Sequence, residues 1–468
     1  MADSPHRETA RVPHRQYGEV ERALLERWPE TRLDPTLTRI RALVDLLGEP
    51  QRGYPVVHVT GTNGKTSTCR MIDELLRAAG LRTGRYTSPH LQQMTERISL
   101  DGQPLTEEQF VRAYLDVAAY FEVVDRSGPH PLSFFEALTG MAYAAFADAP
   151  VDVAAVEVGM GGTWDATNVV DGQVAVVTPV AMDHAAYLGD DPVEIAGEKA
   201  GILKPGGVAV LAEQPTEVAE VLVRRAAEVG VSIAREGLDF GVVQRLPGVG
   251  GQLLTLRGIN RNYDDVYVPL HGAHQAHNAA LALVAVEGFF GGLGQEAMLD
   301  PDVVREGFAA VSSPGRLEVV RRGPTIVLDG AHNPHGAQAT VSAVQEAFAF
   351  SPLVGVVGVM GDKDVAGLLA AFEPVFAEIV CTQAATPRAM AADELADAAD
   401  ALFGQDRVHR APRLDDALDV AVRLAEGGGR YGEALGSGGV LVTGSVVTVG
   451  QARTLLGVSN DRGPGGVR

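Results

Sequence analysis

An α/β chain of two domains is the fold class the sequence predicts, on three observations. From Val56 to Leu211, short valine-rich runs alternate with longer stretches of helical spacing, the pattern of a parallel sheet covered by helices. A turn-rich break follows at Ser312-Ser313-Pro314-Gly315-Arg316. Beyond it the alternation resumes for about 150 residues, an ordinary domain size. With 468 residues, 46% of them hydrophobic, each part is long enough to bury its own core. The expected division is an N-terminal domain, residues 1–313, and a smaller C-terminal one, 314–468.

Met1 to Gln16 is polar, rich in Arg and His and without the apolar centre of a secretory signal, so a frayed, flexible start is expected over 1–16. Pro55 to Val59 reads as a short buried strand. After a glycine-bearing turn, Met71, Ile72, Leu75, Leu76 and Ala79 recur at helical spacing until Gly80 ends the pattern. Val151 to Val158, Val174 to Thr178 and Val208 to Leu211 are further buried strands. Gly237 to Leu270 changes character: Asp264 to Leu270 alternates polar and apolar residues and glycines punctuate the region, which predicts a small antiparallel patch. Asn278 to Phe290 is helical again. Past the break, Thr325 to Asp329, Leu353 to Val359, Ile379 to Thr382 and Val440 to Thr443 read as strands separated by helices, and Gly427 to Gly439 as a glycine-rich loop.

The formal net charge of −21 argues against broad binding to nucleic acid or anionic membranes, both of which need a basic face, but leaves room for a polyanionic small substrate in a locally basic cleft. Cys69 and Cys381 are far apart in sequence and lack metal-ligand spacing, which excludes a disulfide framework and fits a reducing compartment. No apolar run approaches the roughly 20 residues that cross a bilayer. A cytoplasmic protein is expected.

Four segments carry chemistry. His58-Val-Thr-Gly-Thr-Asn-Gly-Lys-Thr-Ser67 joins a strand to a helix through glycines, one lysine and hydroxyls, the residue types that cradle phosphate. It departs from the general Walker spacing, because Val59 stands where the first glycine would be. Glu157-Val-Gly-Met-Gly-Gly162 puts a carboxylate at a strand's C-terminal end, the edge where open parallel sheets bind ligands; it suits a magnesium ligand or a solvated loop residue. Thr178 to His184 brings an imidazole to the same edge. Gly197-Glu-Lys-Ala-Gly201 offers Lys199 in an apolar, glycine-flanked setting.

With these pieces in order, the chain resembles the folylpolyglutamate synthase/dihydrofolate synthase family of the Mur ligase superfamily, from about Leu33 to Gly450. The resemblance rests on the phosphate loop, Thr87-Ser-Pro-His-Leu91, Thr95-Glu-Arg-Ile98, Ser133-Phe-Phe-Glu136, Glu157 to Gly162 with Asp165-Ala-Thr-Asn168, and Asp183-His184. It continues through Gly197 to Gly201, Gly272-Ala-His-Gln-Ala-His-Asn278, Pro314-Gly-Arg316 and Asp329-Gly-Ala-His-Asn-Pro334. It implies a two-domain Mur-ligase-like architecture: an N-terminal P-loop ATPase-type sheet and a smaller C-terminal Rossmann-like domain.

The resemblance also implies site residues. Gly61, Thr62, Asn63, Gly64, Lys65 and Thr66 would hold the phosphates of ATP, with Asn278, Arg316 and Asp329 also on the nucleotide. Ser88, Glu157 and His184 would bind Mg2+, joined by a hydroxyl of Thr66 or Ser67 and by Lys199 as a carbamylated lysine. Ser133, Trp164, Asp165 and Ala166 would meet the pterin side of the substrate, with Arg97 as a carboxylate clamp. Phe134 and Phe135 are open to either stacking on the pterin or packing in the core.

The implied reaction is ATP-dependent ligation of L-glutamate to reduced folates or to 7,8-dihydropteroate through an acyl phosphate, with Lys65, Lys199, His332 and Asp165 as catalytic candidates. A monomer acting on small molecules only is expected. The alternatives are a single-activity family member, another Mur-type amino-acid ligase, and a phosphate-loop NTPase serving as a binding module.

Overall fold

The strand β1 (Val56–Thr60) is buried along its whole length, which is why valine occurs on both of its faces rather than only at alternate positions. It belongs to an eight-stranded sheet with β2 (Thr83–Tyr86), β3 (Ile98–Leu100), β4 (Gln103–Pro104), β5 (Val153–Glu157), β6 (Val174–Val177), β7 (Val208–Leu211) and β8 (Ser232–Arg235), in the order β4-β3-β2-β5-β1-β6-β7-β8. β1 pairs in parallel with β5 on one side and β6 on the other, Val57 standing opposite Ala155 and Val174. The chain departs from β1 toward β2 and later returns to β6 on the other side, so the C-terminal end of β1 lies at a topological switch point.

These are features of a computed structural model that describes residues 5–29, 34–183, 185–294, 297–427 and 438–458. The chain divides into two units, Met1–Val243 with Thr255–Val266 and His277–Ala309, and Gln244–Leu254 with Tyr267–Ala276 and Ala310–Arg468. The first unit contains the eight-stranded sheet. β1, β5, β6 and β7 match the valine-rich runs. β2 escaped the sequence because Thr83-Gly84-Arg85-Tyr86 is half polar, yet it is fully buried. Arg85 is paired with buried Asp73 of the helix Lys65–Ala78 and donates to Ser99 Oγ on β3 at 3.0 Å, and Gly84 leaves room for the ring of Phe146.

Of the start expected to be frayed, residues 1–4 lie outside the described residues, and the chain from Pro5 belongs to a helix, Pro5–Leu25. Tyr17, Val20 and Leu24 are buried, and the ring of Tyr17 meets Phe110 edge-on at 5.7 Å between centroids. These apolar residues, from Tyr17 on, hold the helix in place.

Three strands, β9 (Gly241–Gly248), β10 (Gly251–Arg257) and β11 (Asn262–Val268), form a separate sheet with β10 in the middle, and their residues are divided between the units. The two-residue connection from β9 to β10 allows only an antiparallel pair, the patch the glycines of this region predict.

The second unit contains β12 (Glu318–Arg322), β13 (Thr325–Leu328), β14 (Leu353–Val357), β15 (Glu378–Cys381), β16 (Val408–Arg410) and β17 (Gly439–Thr443), in the order β12-β13-β17-β14-β15-β16. All pairs are parallel except β12 with β13. Val327, Val357, Ile379 and Leu441 pack with Val341, Leu368, Leu369 and Phe372 from helices into one core. Of the glycine-rich stretch predicted from Gly427 to Gly439, residues 428–437 lie outside the described residues. Cys69 and Cys381 are free and buried. Among the described residues no helix is long and apolar enough to cross a membrane.

Candidate active site

The phosphate loop follows β1 at the switch point. Gly61 and Gly64 have φ of 142° and 92°, conformations open to glycine. A Cβ on Gly61 would lie 1.8 Å from Thr178 Oγ1, and one on Gly64 2.5 Å from Asn278 Oδ1. Asn278 of the helix Ala273–Gly291 therefore packs directly against the loop. The amides of Thr62 and Asn63 donate to the carbonyl oxygen of Pro179, at 3.0 and 3.4 Å, and Thr62 Oγ1 donates to Ala181 O at 2.9 Å. These bonds fix the loop to the segment after β6. The helix Lys65–Ala78 begins at once, and its first-turn amides, which lack intrahelical partners, add partial positive charge.

Two lysines converge on one carbonyl. Lys65 Nζ donates to Gly61 O and Thr62 O at 3.0 Å each, and Lys199 Nζ, at the end of the helix Pro192–Lys199, donates to Gly61 O at 2.8 Å. Lys199 is 3% exposed. Burial, and then the charge of Lys65, bring its pKa down to about 7.

Glu157 ends β5 opposite Val59 and is 1% exposed. Its oxygens accept from Thr66 Oγ1 at 2.9 and 3.0 Å and from the amide of Ser88 at 3.3 Å. Both candidate hydroxyls start the helix beside this carboxylate, Thr66 bonded to it and Ser67 buried. His184 lies outside the described residues.

The segment after Glu157 folds back on itself around Asp165. Asp165 Oδ1 accepts from the amide and the hydroxyl of Thr167, at 2.9 and 2.5 Å, and Oδ2 from the amide of Met160 at 2.9 Å. Burial pushes its carboxyl up. Gly162 is backed by Glu198 and Lys199, and the amide of Thr163 donates to Glu198 O at 2.9 Å, so the segment holding Trp164 and Ala166 abuts the Lys199 helix.

Ser133 caps the helix Phe134–Asp148: its hydroxyl accepts from Glu136 N at 3.1 Å and its amide donates to Glu136 Oε2 at 2.8 Å. Arg97 is 3% exposed, donates from Nε to His90 Nδ1 at 3.0 Å, and lies over the ring of Phe134 at 4.9 Å. Phe135 faces Tyr86 at 5.9 Å between centroids.

Glu96 escaped the sequence reading as a functional residue. Its carboxylate accepts from the amides of Leu91, Gln92 and Gln93 at 2.8, 3.0 and 2.9 Å, and so shapes the loop that carries Ser88. The signal was present as a Gln93-x-x-Glu96 capping box.

In the second unit, Asp329 follows β13 directly and staples the segments around it. Its Oδ2 accepts from Leu317 N at 3.0 Å, and its Oδ1 from Ala331 N at 3.0 Å and from Thr340 Oγ1 at 2.7 Å. Arg316 lies in the first of these segments. His332 Nδ1 donates to Gly330 O at 2.9 Å. Glu318 accepts from the amide of Gly315 at 2.8 Å and from Nε and Nη2 of buried Arg453, anchoring the Arg316 turn to the helix Val446–Leu455.

The Mur ligase middle domain matches residues 59–286, and the Mur ligase glutamate ligase domain residues 315–446. The chain is 53% identical to the dihydrofolate synthase/folylpolyglutamate synthase of Mycobacterium tuberculosis over 456 residues, 94% of this chain and 93% of that one. It superposes on the M. tuberculosis folylpolyglutamate synthase complexed with ADP with a TM-score of 0.91 at 52% identity, covering 95% of this chain and 99% of the other. On E. coli FolC in complex with DHPP and ADP the TM-score is 0.80 at 29% identity, with 94% and 97% covered. With the phosphate loop, the buried Glu157 and both matched domains in their expected order, the chain belongs to the dihydrofolate synthase/folylpolyglutamate synthase family of Mur ligases.

Proposed function

We propose that this chain is an ATP-dependent carbon–nitrogen ligase that adds L-glutamate to the carboxylate of a reduced folate, and also to 7,8-dihydropteroate. The observation that best supports this reading is the convergence of Lys65, Lys199, Thr66 and Glu157 on the loop at the C-terminal end of β1. The domains 1–313 and 314–468, a monomer and a cytoplasmic location complete the proposal.

Lys65 and the first-turn amides of its helix offset the repulsion between the acceptor carboxylate and the γ-phosphate as the acyl phosphate forms. The Glu157 carboxylate and the hydroxyls of Thr66 and Ser88 are oxygen donors of the kind that a hard divalent cation takes. They would hold Mg2+, with His184 as a further ligand. When bound, the ion supplies charge neutralisation on the transferring phosphoryl group. Carbamylation of Lys199, in which its neutral amine adds to carbon dioxide and releases a proton, would convert a cation into an anionic oxygen donor. A pKa of about 7 keeps the neutral amine populated at neutral pH.

Asp165, whose oxygens receive three protein donors, suits holding the acceptor segment, and His332 is assigned to the proton of the attacking glutamate amine. Arg316 and Asp329 are assigned to the nucleotide.

The deciding experiment is a paired assay with ATP, Mg2+ and L-glutamate, offering 7,8-dihydropteroate in one tube and a reduced folate monoglutamate in the other. A glutamate mass gain in both is expected. A gain in one assigns a single activity, and ADP release without any gain overturns the ligase reading in favour of an NTPase.

A further inference from the structure

His58 and Thr167 have no part in the chemistry above, yet both are completely buried and bonded to each other. His58 lies in the middle of β1, and its Nε2 is 2.9 Å from Thr167 Oγ1. Thr167 Oγ1 is in turn 2.5 Å from Asp165 Oδ1.

The direction of these bonds follows from proton counting. A hydroxyl has one proton, and an ionised carboxylate can only accept. Thr167 therefore donates to Asp165, and the bond from His58 runs from Nε2–H into the threonine oxygen. That fixes the neutral tautomer with the lone pair on Nδ1, an atom buried without a partner among the described residues. Leaving a ring nitrogen unpaired costs stability. A valine, as at Val56, Val57 and Val59, would avoid that cost but supply no donor.

The same face of β1 makes a second tie, Thr60 Oγ1 donating to Gly161 O at 2.8 Å, and Tyr143 Oη donates to Thr167 O at 2.8 Å. The loop 160–167 is thus bonded near its start and at its end, with Asp165 closing it from inside.

We propose that the hydrogen-bond chain His58–Thr167–Asp165 is a positioning device. It sets residues 164–166 for the pterin-bearing acceptor and locks them to the strand that ends in the phosphate loop, so that acceptor carboxylate and γ-phosphate are presented in register. His58 and Thr167 are positioning residues, acting through Asp165. The proposal rests on the ligase reading for what the segment holds.

Thr167→Val keeps the shape and removes the hydroxyl. The expected result is a KM for the pterin or folate acceptor raised about tenfold or more, as small misplacements near a reacting centre produce. The KM for ATP should stay within about twofold, and Thr167→Ser should restore the acceptor KM. An acceptor KM that stays near the parent value, or a rise in both KM values together, overturns the proposal. Should Thr167→Val fail to fold, nuclear magnetic resonance of histidine-labelled parent protein, with His58→Gln to assign the signal, decides independently of turnover. A neutral Nε2–H tautomer at pH 7 supports the chain, and an Nδ1–H tautomer or an imidazolium overturns it. A parent protein that adds glutamate to neither acceptor defeats the ligase reading but leaves the tautomer result standing, so the two failures are distinguishable.

Discussion

Gly64 illustrates how one missing side chain sets the site. Its φ of 92° disfavours any L side chain, and a methyl group there would meet Asn278 Oδ1 at 2.5 Å. Gly64→Ala should leave the protein folded and weaken ATP binding about 10- to 100-fold, measured by calorimetry, because both the loop path and Asn278 must shift. Arg316→Ala should depress kcat by about 100-fold or more without lowering the melting temperature, since a guanidinium that stabilises developing phosphoryl charge contributes mainly in the transition state. Near-normal turnover would remove Arg316 from the nucleotide. Lys65, Glu157 and Lys199 were readable in the sequence as separate candidates, and the structure brings them together around one loop. His58 was not, since its meaning depends on Thr167, 109 residues away, and nothing local distinguishes a bonded imidazole from a packed one.

Among the elements, the strands buried on both faces were the most legible, because burial leaves valine and alanine at most positions of β1, β5, β6 and β7. β2 was hidden by the Arg85–Asp73 pair, in which two charges are buried against each other and leave no hydrophobic signature. The short helical turn Met94–Arg97 carries the same lesson. Glu96 is only 6% exposed and receives three amides, so it organises the preceding loop as a buried anion. Glu96→Ala would strand those donors. The expected cost is about 2 to 3 kcal/mol in urea unfolding, as for charged hydrogen bonds that lose one partner, with a fall in kcat because the loop bearing Ser88 loses its shape. Glu96→Gln should recover part of both, and an alanine variant with unchanged stability would show that the loop is held by other contacts.

For the molecule as a whole, stability against pH is governed by buried groups more than by its net charge of −21, which is spread over the entire sequence. Glu287 is completely buried, accepting from Tyr263 Oη at 2.7 Å and from Ile259 N at 2.8 Å, and burial raises its pKa to about 7. In the unfolded chain it titrates near 4.5. Between those values the folded form holds a proton that the unfolded form has lost, so its contribution to stability is complete below pH 4.5 and disappears as pH rises through 7. His58 has the opposite sign: burial lowers its pKa from 6.5 to about 3, so acidification through that window protonates only the unfolded chain and weakens the fold. Both groups lie in the first unit, as do Trp28 and Trp164, the two tryptophans of the chain, so tryptophan emission during urea unfolding reads the unit they affect. Glu287→Gln imitates the protonated acid, its amide able to donate to Tyr263 Oη while its carbonyl accepts from Ile259. The variant should be more stable than the parent by about 3 kcal/mol at pH 8. That gap should close toward pH 4.5, where the parent has gained its own proton. The variant's stability should fall more steeply than the parent's between pH 6.5 and 4.5, because the loss from His58 is no longer offset. A gap that stays constant with pH would mean that Glu287 titrates alike in the folded and unfolded chains.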